Sequence, residues 1–413
     1  MAQHRLSIGS SPGLLSGIRI VEGSAFVAAP SCGMTLAQLG ADVIRFDPIG
    51  GGIDAARWPV TADGTSLYWA GLNKGKRSVT VDIRHPEAQA LLTAVIAAPG
   101  PDAGVFITNF PATRGWMSYE RLLTQRHDLI MCAVTGSPDG STAVDYTVNC
   151  AVGYPTATGP VDSDEPVNHV LPAWDFLCGQ TAALGIVSAL RHRDRTGDGQ
   201  LMTLALSDVA MATVSAMGHV AEAQVLGTER PRVGNDLYGA FGRDFATSDG
   251  RRVMVVAISD KQWTGLCEST GTAGAIAELA LHLGADFQDE GQRFMARDAI
   301  SLHLAPWFGR RTLAEVATAL DAHGVCWGPY QSFTQMVAQD PRCSTANPMF
   351  GEVDQPGVGR ILSAGSPLAP AGVGRTPVRP APTLGQHTDE VLAEILGLSD
   401  TELGRLHDAR IIA

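Results

Sequence analysis

Ile18-Arg19-Ile20-Val21-Glu22-Gly23-Ser24-Ala25-Phe26-Val27-Ala28-Ala29-Pro30, followed by Leu39-Gly40-Ala41-Asp42-Val43-Ile44-Arg45-Phe46, decides the fold class. Ile18 to Val21 is a short β run that ends at Glu22-Gly23. Pro30 suits a first helical position, where its missing N–H costs nothing, and Gly40 suits the left-handed residue that closes a helix. Val43 to Phe46 is the next strand. The alternation continues with the strand Val79-Thr80-Val81 and a helix opened by Pro86 that carries Ala88, Leu91, Leu92 and Val95 at helical spacing. Val105-Phe106-Ile107 and Leu129-Ile130-Met131 are further strands, with a helix from Tyr119 to Gln125 between them. Apolar strands alternating with helices require a parallel sheet covered on both faces. The fold class is α/β.

A long, almost uncharged helix is expected from Asp175 to about Arg193, then a turn at Thr196 to Gly199, a strand from Leu201 to Leu206 and a helix from Ser207 to Gln224. Thr228-Glu229-Arg230-Pro231-Arg232 reads as a linker. The expected organisation is a large domain over 1–226, a smaller α/β domain over 227–330 with a strand from Arg252 to Ile258, and a returning segment over 331–413. Within the last, Gln355 to Gln386 is dense in Pro and Gly and reads as an irregular crossing stretch. Two short helices, Thr388 to Leu396 and Asp400 to Ala409, follow it.

The 413 residues carry a formal net charge of −12, which argues against a nucleic-acid partner but leaves room for a local basic pocket. No apolar stretch reads as a membrane span, and Met1 to Gly13 lacks the apolar core of a signal peptide. The cysteines at 32, 132, 150, 178, 267, 326 and 343 are far apart and odd in number. That spacing suits neither zinc nor a disulfide framework and points to reduced thiols in the cytoplasm.

Asp175 is the foremost candidate for chemistry. A carboxylate at the head of an apolar helix can be an N-cap, or a nucleophile kept ionised by the helix terminus. Leu72-Asn73-Lys74-Gly75-Lys76-Arg77 places three cations and a flexible Gly before a strand, which suits phosphates or a solvated basic turn. Asn109 follows a buried strand and could bond a ligand or form a turn. Asp47 ends the second strand, where a ribose-binding acid would sit, yet the first strand leads into no G-x-G-x-x-G. G-x-S-x-G is absent too, as is any pair of histidines at i, i+4. No metal is expected.

Beyond these readings, the chain resembles the class III (CaiB/BaiF-type) coenzyme A transferases along nearly its whole length. The landmarks are Leu15 to Glu22, Leu39 to Arg45, Leu72 to Ser78, Arg195-Thr196-Gly197-Asp198-Gly199-Gln200 and Leu384-Gly385-Gln386-His387-Thr388. The resemblance implies an open Rossmann-like large domain, a smaller α/β domain and an interlocked homodimer. It implies Asp175 as the catalytic nucleophile, with Phe26, Val27, Leu72, Asn73, Lys74, Gly75, Asn109, Phe110, Arg114, His169 and Tyr238 as contacts for coenzyme A or substrate. Coenzyme A arrives on the substrate, so no separate cofactor is implied.

Departures narrow the reading. Val144-Asp145-Tyr146 stands where the family's racemases carry His-Asp, which removes one of two bases from an α-proton exchange. Pro48 replaces an Arg, and Asn109-Phe110-Pro111-Ala112-Thr113-Arg114-Gly115 replaces an Asn-Phe-Arg-Pro-Gly motif. The pattern is similar to a subgroup that moves coenzyme A between the two carboxyl groups of one five-carbon dicarboxylic acid. Its substrate would be an acyl-coenzyme A thioester. The alternatives are a transferase between succinate-like acids, a racemase, and a non-catalytic coenzyme A binding protein. An Asp of ordinary pKa, about 3.9, is ionised at neutral pH and would need no base. Backbone N–H groups of the following helix would stabilise the oxyanions.

Overall fold

The computed structural model describes residues 13–413; the polar start, 1–12, lies outside them. Six strands form one parallel sheet in the order β3-β2-β1-β4-β5-β6. In chain order the elements are β1 (Arg19–Gly23), α1 (Ala28–Gln38), β2 (Asp42–Pro48), α2 (Leu67–Leu72), β3 (Arg77–Val81), α3 (Pro86–Ile96), β4 (Val105–Thr108), α4 (Tyr119–Leu123), β5 (Ile130–Thr135), α5 (Asp145–Ala151), α6 (Tyr154–Ala157), α7 (Ala173–Thr196), β6 (Gln200–Ala205) and α8 (Leu206–Ala216). Helix α1 starts two residues before Pro30, because Phe26 turns the chain with φ of +66° and lets the helix begin at Ala28.

By compactness the chain divides into two units, described separately. The first holds the residues up to Val152, Val170–Glu222 and Pro341–Ala413. One face of its sheet buries Val21, Ile44, Phe46, Val79, Phe106 and Met131 against Ala88, Leu92, Val95 and Ile96 of α3. On the other side α1 packs against α7. Helix α7 is long and apolar enough to cross a bilayer by composition alone, which amends the sequence reading; here it is a core helix with Cys178, Ala182, Ile186 and Leu190 buried.

Gly179 sets how closely those two helices meet. A Cβ there would lie 2.0 Å from Ser31 Oγ and 2.7 Å from the Ala28 carbonyl oxygen. Gly179→Ala is therefore expected to cost about 1–3 kcal/mol by overpacking. Because the first turn of α7 carries Asp175, kcat should fall further than stability; a variant with unaltered unfolding and turnover would remove this constraint.

The expected helix from Ser207 to Gln224 is broken. Gly218 at φ of +80° separates α8 from α9 (His219–Leu226). The second unit, Gly153–His169 with Ala223–Asp340, is built on an antiparallel sheet of β7 (Phe241–Ala246), β8 (Arg252–Ala257) and β9 (Cys326–Pro329). Helices α10 (Asp260–Thr270), α11 (Ala273–Leu283), α12 (Glu290–Met295), α13 (Arg297–Phe308) and α14 (Leu313–Ala322) accompany it, and α15 (Phe333–Gln339) closes the unit. Its core holds Phe241, Phe245, Val253, Val255, Trp263, Leu304 and Phe308.

The chain then re-enters the first unit, and the stretch expected to be irregular contains a strand. β10 (Phe350–Gln355) and β11 (Gly359–Ala364) form an antiparallel hairpin. α16 (Thr388–Leu396) and α17 (Asp400–Asp408) place Val391, Leu392, Leu403 and Leu406 in the core beside α3. The last residues add to the sheet edge: Ile412 bridges Val81, and Ala413 N–H donates to the Thr80 carbonyl. An edge strand that pairs internally is not free to pair with other chains.

Candidate active site

The strand order reverses direction between β1 and β4, the place where open α/β sheets hold ligands at their carboxyl ends. Asn109, just after β4, spans that gap. Its Oδ1 accepts from Ala25 N–H at 2.9 Å and its Nδ2 donates to the Ala25 carbonyl at 2.8 Å. Asp54 Oδ2 accepts from Phe26 N–H at 3.2 Å. These bonds hold Phe26 in a left-handed conformation that costs a residue with a Cβ about 1–3 kcal/mol, the kind of strain that persists where function needs it. Val27 is buried, while the Phe26 ring stays partly open to solvent.

Asp175 lies in the first turn of α7, and Asp145 of α5 caps that turn from outside. Asp145 Oδ2 accepts from Trp174 N–H at 2.7 Å and from Asp175 N–H at 3.2 Å. Asp145 is buried, and its Oδ1 has no hydrogen-bond partner. The remaining first-turn donors are also taken, Ala173 N–H by the Leu171 carbonyl and Phe176 N–H by that of Pro172. The expectation that α7 offers N–H groups to an oxyanion is thus corrected.

A second correction concerns ionisation. Burial pushes the Asp175 carboxyl up to about 7, the nearby Asp145 carboxylate adds to the rise, and the Arg57 guanidinium opposes it. Asp175 is then only partly ionised at neutral pH, unlike an ordinary Asp. Activity should follow: kcat/KM is expected to rise with pH through about 7 on its acid limb. Asp145→Asn keeps an acceptor for the two N–H groups and removes a like charge, so it should move that limb downward. A limb that stays in place in a pH–kcat/KM profile would exclude this coupling.

Tyr68 and Arg57 complete the surroundings. The Arg57 guanidinium carbon lies 5.3 Å from the centre of the Tyr68 ring and 5.4 Å from that of Phe26. The Tyr68 hydroxyl is pushed up to about 12, chiefly by burial, with Asp175 among the charges acting on it. Asp145, Arg57, Tyr68 and Asp54 were not singled out in the sequence as site residues. Asp54 and Asp145 carry no signal in the sequence, since each is a buried acid flanked by partly or fully exposed residues.

The basic turn is placed differently from a phosphate cradle. Lys76 Nζ donates to Glu22 Oε1 at 2.8 Å, to Asn73 Oδ1 at 2.9 Å and to the Pro30 carbonyl at 2.9 Å, all buried. Asn73 also accepts from Arg45, whose guanidinium pairs with Asp47 and Asp54. Leu72 is buried, Lys74 Nζ donates to the Ala364 carbonyl at 2.9 Å, and Gly75 N–H donates to that of Pro380. Asp47, weighed as a ribose ligand, is fully buried against Arg45. Phe110 packs edge-on against Phe46, and Arg114 is exposed. His169 and Tyr238 belong to the second unit. Neither ring nitrogen of His169 has a partner, and Tyr238 stacks under Arg230 at 4.0 Å. Among the described residues no cluster of His, Cys, Asp and Glu could hold a metal, and all the cysteines are unpaired.

A family model described as CoA-transferase family III matches residues 15–388. The chain belongs to CoA-transferase family III. It is 59% identical over 97% of its length, and 98% of the other protein, to 2-methylfumaryl-CoA isomerase of Chloroflexus aurantiacus. It is 29% identical, over 97% of this chain and 98% of the other, to succinyl-CoA–D-citramalate CoA-transferase of the same organism. A solved CaiB/BaiF family protein from Brucella suis superposes with a TM-score of 0.75 at 27% identity, covering 93% of this chain and all of that one.

Proposed function

We propose that this family III enzyme interconverts the C1 and C4 thioesters of 2-methylfumarate through Asp175. The observation that carries the reading is a partly buried carboxyl, pushed upward by burial, at the head of α7 in a chain so similar to 2-methylfumaryl-CoA isomerase. A carboxylate whose pKa is raised is a better nucleophile once deprotonated, and one that ionises near neutrality is available at working pH.

The Asp175 carboxylate attacks the C1 carbonyl, the C1–S bond breaks, and coenzyme A leaves as thiolate, giving a mixed anhydride. The thiolate attacks the aspartyl carbonyl, so the anhydride C–O bond breaks and 2-methylfumarate is released as a dianion from an aspartyl thioester. Its C4 carboxylate then attacks that thioester, the thiolate leaves again, and its return to C4 restores the Asp175 carboxylate. No proton or electron is consumed. With α7 already capped, the Ala28 and Ala29 N–H groups in the first turn of α1 are the better oxyanion donors, since Pro30 has no N–H and Ser31 N–H donates to the Val27 carbonyl. If the dianion stays bound, the second half is effectively unimolecular.

A homodimer accords with Leu177, Leu184 and Val187 on α7 and Met211 on α8, all left open to solvent in the single chain. The test of the reaction is incubation with the C1 thioester alone and with isotopically labelled free 2-methylfumarate. Unlabelled C4 thioester supports the intramolecular transfer. Label in the product would replace it with a transferase between separate acids, and absence of the C4 thioester would end the proposal.

A further inference from the structure

Arg57 differs from several arginines of the first unit. Arg45, Arg77, Arg126 and Arg193 each hold a carboxylate within ion-pair distance. Arg57, exposed to solvent, holds none among the described residues, although its backbone is fixed. Its backbone N–H donates to the Asp54 carbonyl at 3.2 Å, its own carbonyl accepts from Ser66 Oγ at 2.6 Å, and its guanidinium lies against the rings of Phe26 and Tyr68. A cation held over ring faces in this way keeps its N–H groups free for a planar anion. Its charge acts on Asp175, where it is the one cation to do so among the described residues.

We infer that Arg57 binds the carboxylate that is not reacting, and thereby selects half-thioesters of dicarboxylic acids over thioesters of monocarboxylic acids. The inference rests on the reading of Asp175 as nucleophile. A dicarboxylic half-thioester brings one more negative charge into a site that already holds Asp175 and Asp145, and a guanidinium without an acidic partner among the described residues offsets it. The free acid group forms two parallel N–H···O bonds with such a fork. One cation serves both halves of the reaction, because the bound end is the C4 carboxylate while C1 reacts and the C1 carboxylate while C4 reacts. It also retains the dianion between the two halves.

The test uses the full-length enzyme and two thioesters of the same branched skeleton, 2-methylfumaryl-C1-coenzyme A and methacrylyl-coenzyme A, which lacks the second carboxylate. Single-turnover formation of the aspartyl thioester is followed by the mass of the quenched protein. Arg57→Met should lower the ratio of the dicarboxylic to the monocarboxylic rate constant, kcat/KM for the first half-reaction, on the order of 10²-fold, as expected for loss of a charged hydrogen-bonded pair. Arg57→Lys, which keeps the charge without the fork, should lower it by about tenfold and covers the case in which the Met variant does not fold. A ratio unchanged in both variants, whether both rates fall together or neither does, overturns the inference. Should wild-type enzyme form the aspartyl thioester from another dicarboxylic half-thioester and never yield the C4 isomer, the proposed reaction fails while the ratio, measured on that thioester, still decides the role of Arg57.

Discussion

Asp175→Asn is expected to abolish turnover, by at least about 10⁴-fold in kcat, while making the folded protein more stable at pH 8. The two effects share one cause. In the fold the carboxyl is pushed up to about 7, from 3.8, by burial and by Asp145, so the folded state favours its protonated form. That favour is complete below the unfolded value, near pH 4, and is lost as pH rises through about 7. At pH 8 wild-type protein therefore carries an ionised group that its surroundings oppose, and an amide of the same shape removes the opposition. Thermal unfolding of both proteins at pH 4 and pH 8 should show a gain for Asp175→Asn at pH 8 only. Equal unfolding at both pH values would mean that the site does not hold this carboxyl against ionisation. Retained activity in freshly purified Asp175→Asn, with deamidation excluded by mass, would remove Asp175 from the chemistry.

Lys76→Met is expected to cost about 3–5 kcal/mol, the usual penalty for stripping one partner from a buried ion pair. Lys76 and Glu22 are both withdrawn from solvent, and Glu22 Oε2 already has no hydrogen-bond partner. Without the ammonium, Glu22 keeps Ser24 Oγ at 2.7 Å and a more distant Arg45 at 3.8 Å. The pair is also locked sterically: a Cβ on Gly33 would lie 1.7 Å from Glu22 Oε2, so α1 can pass over the carboxylate only as glycine. Replacing both members, Glu22→Gln with Lys76→Met, should restore part of the loss, and urea unfolding of the four proteins measures the coupling. A coupling near zero would show that the two charges are held by other groups.

The strands of the large sheet were legible because their apolar runs are bounded by Gly or charged residues, and α16 ends where its left-handed Gly397 cap places it. What escaped reading was whatever depends on pairing across the chain. β11 carries Arg360 and follows the turn at Gly357, so its strand character comes from its register with β10 rather than from its own residues. Asp175 was visible from the apolar run behind it. Its shifted ionisation was not, since Asp145 and Arg57 reach it only through the fold. The turn at Leu72 to Arg77 reads as phosphate-binding in isolation, yet Glu22, Arg45 and Asp47 lie inside strands that are otherwise apolar. Charges in buried parallel strands demand partners, and that demand pointed to Asn73 and Lys76.

Asn109 sets this sheet apart from a dinucleotide-binding one. With both ends of its amide fastened to Ala25, the gap between β1 and β4 is sewn shut by the protein itself. A pyrophosphate would have to compete with that stitch for the same backbone N–H. The glycine fingerprint is therefore unnecessary here, and grafting it onto β1 would not by itself yield a nucleotide site; the stitch would have to be cut first, releasing the strained turn at Phe26 along with it.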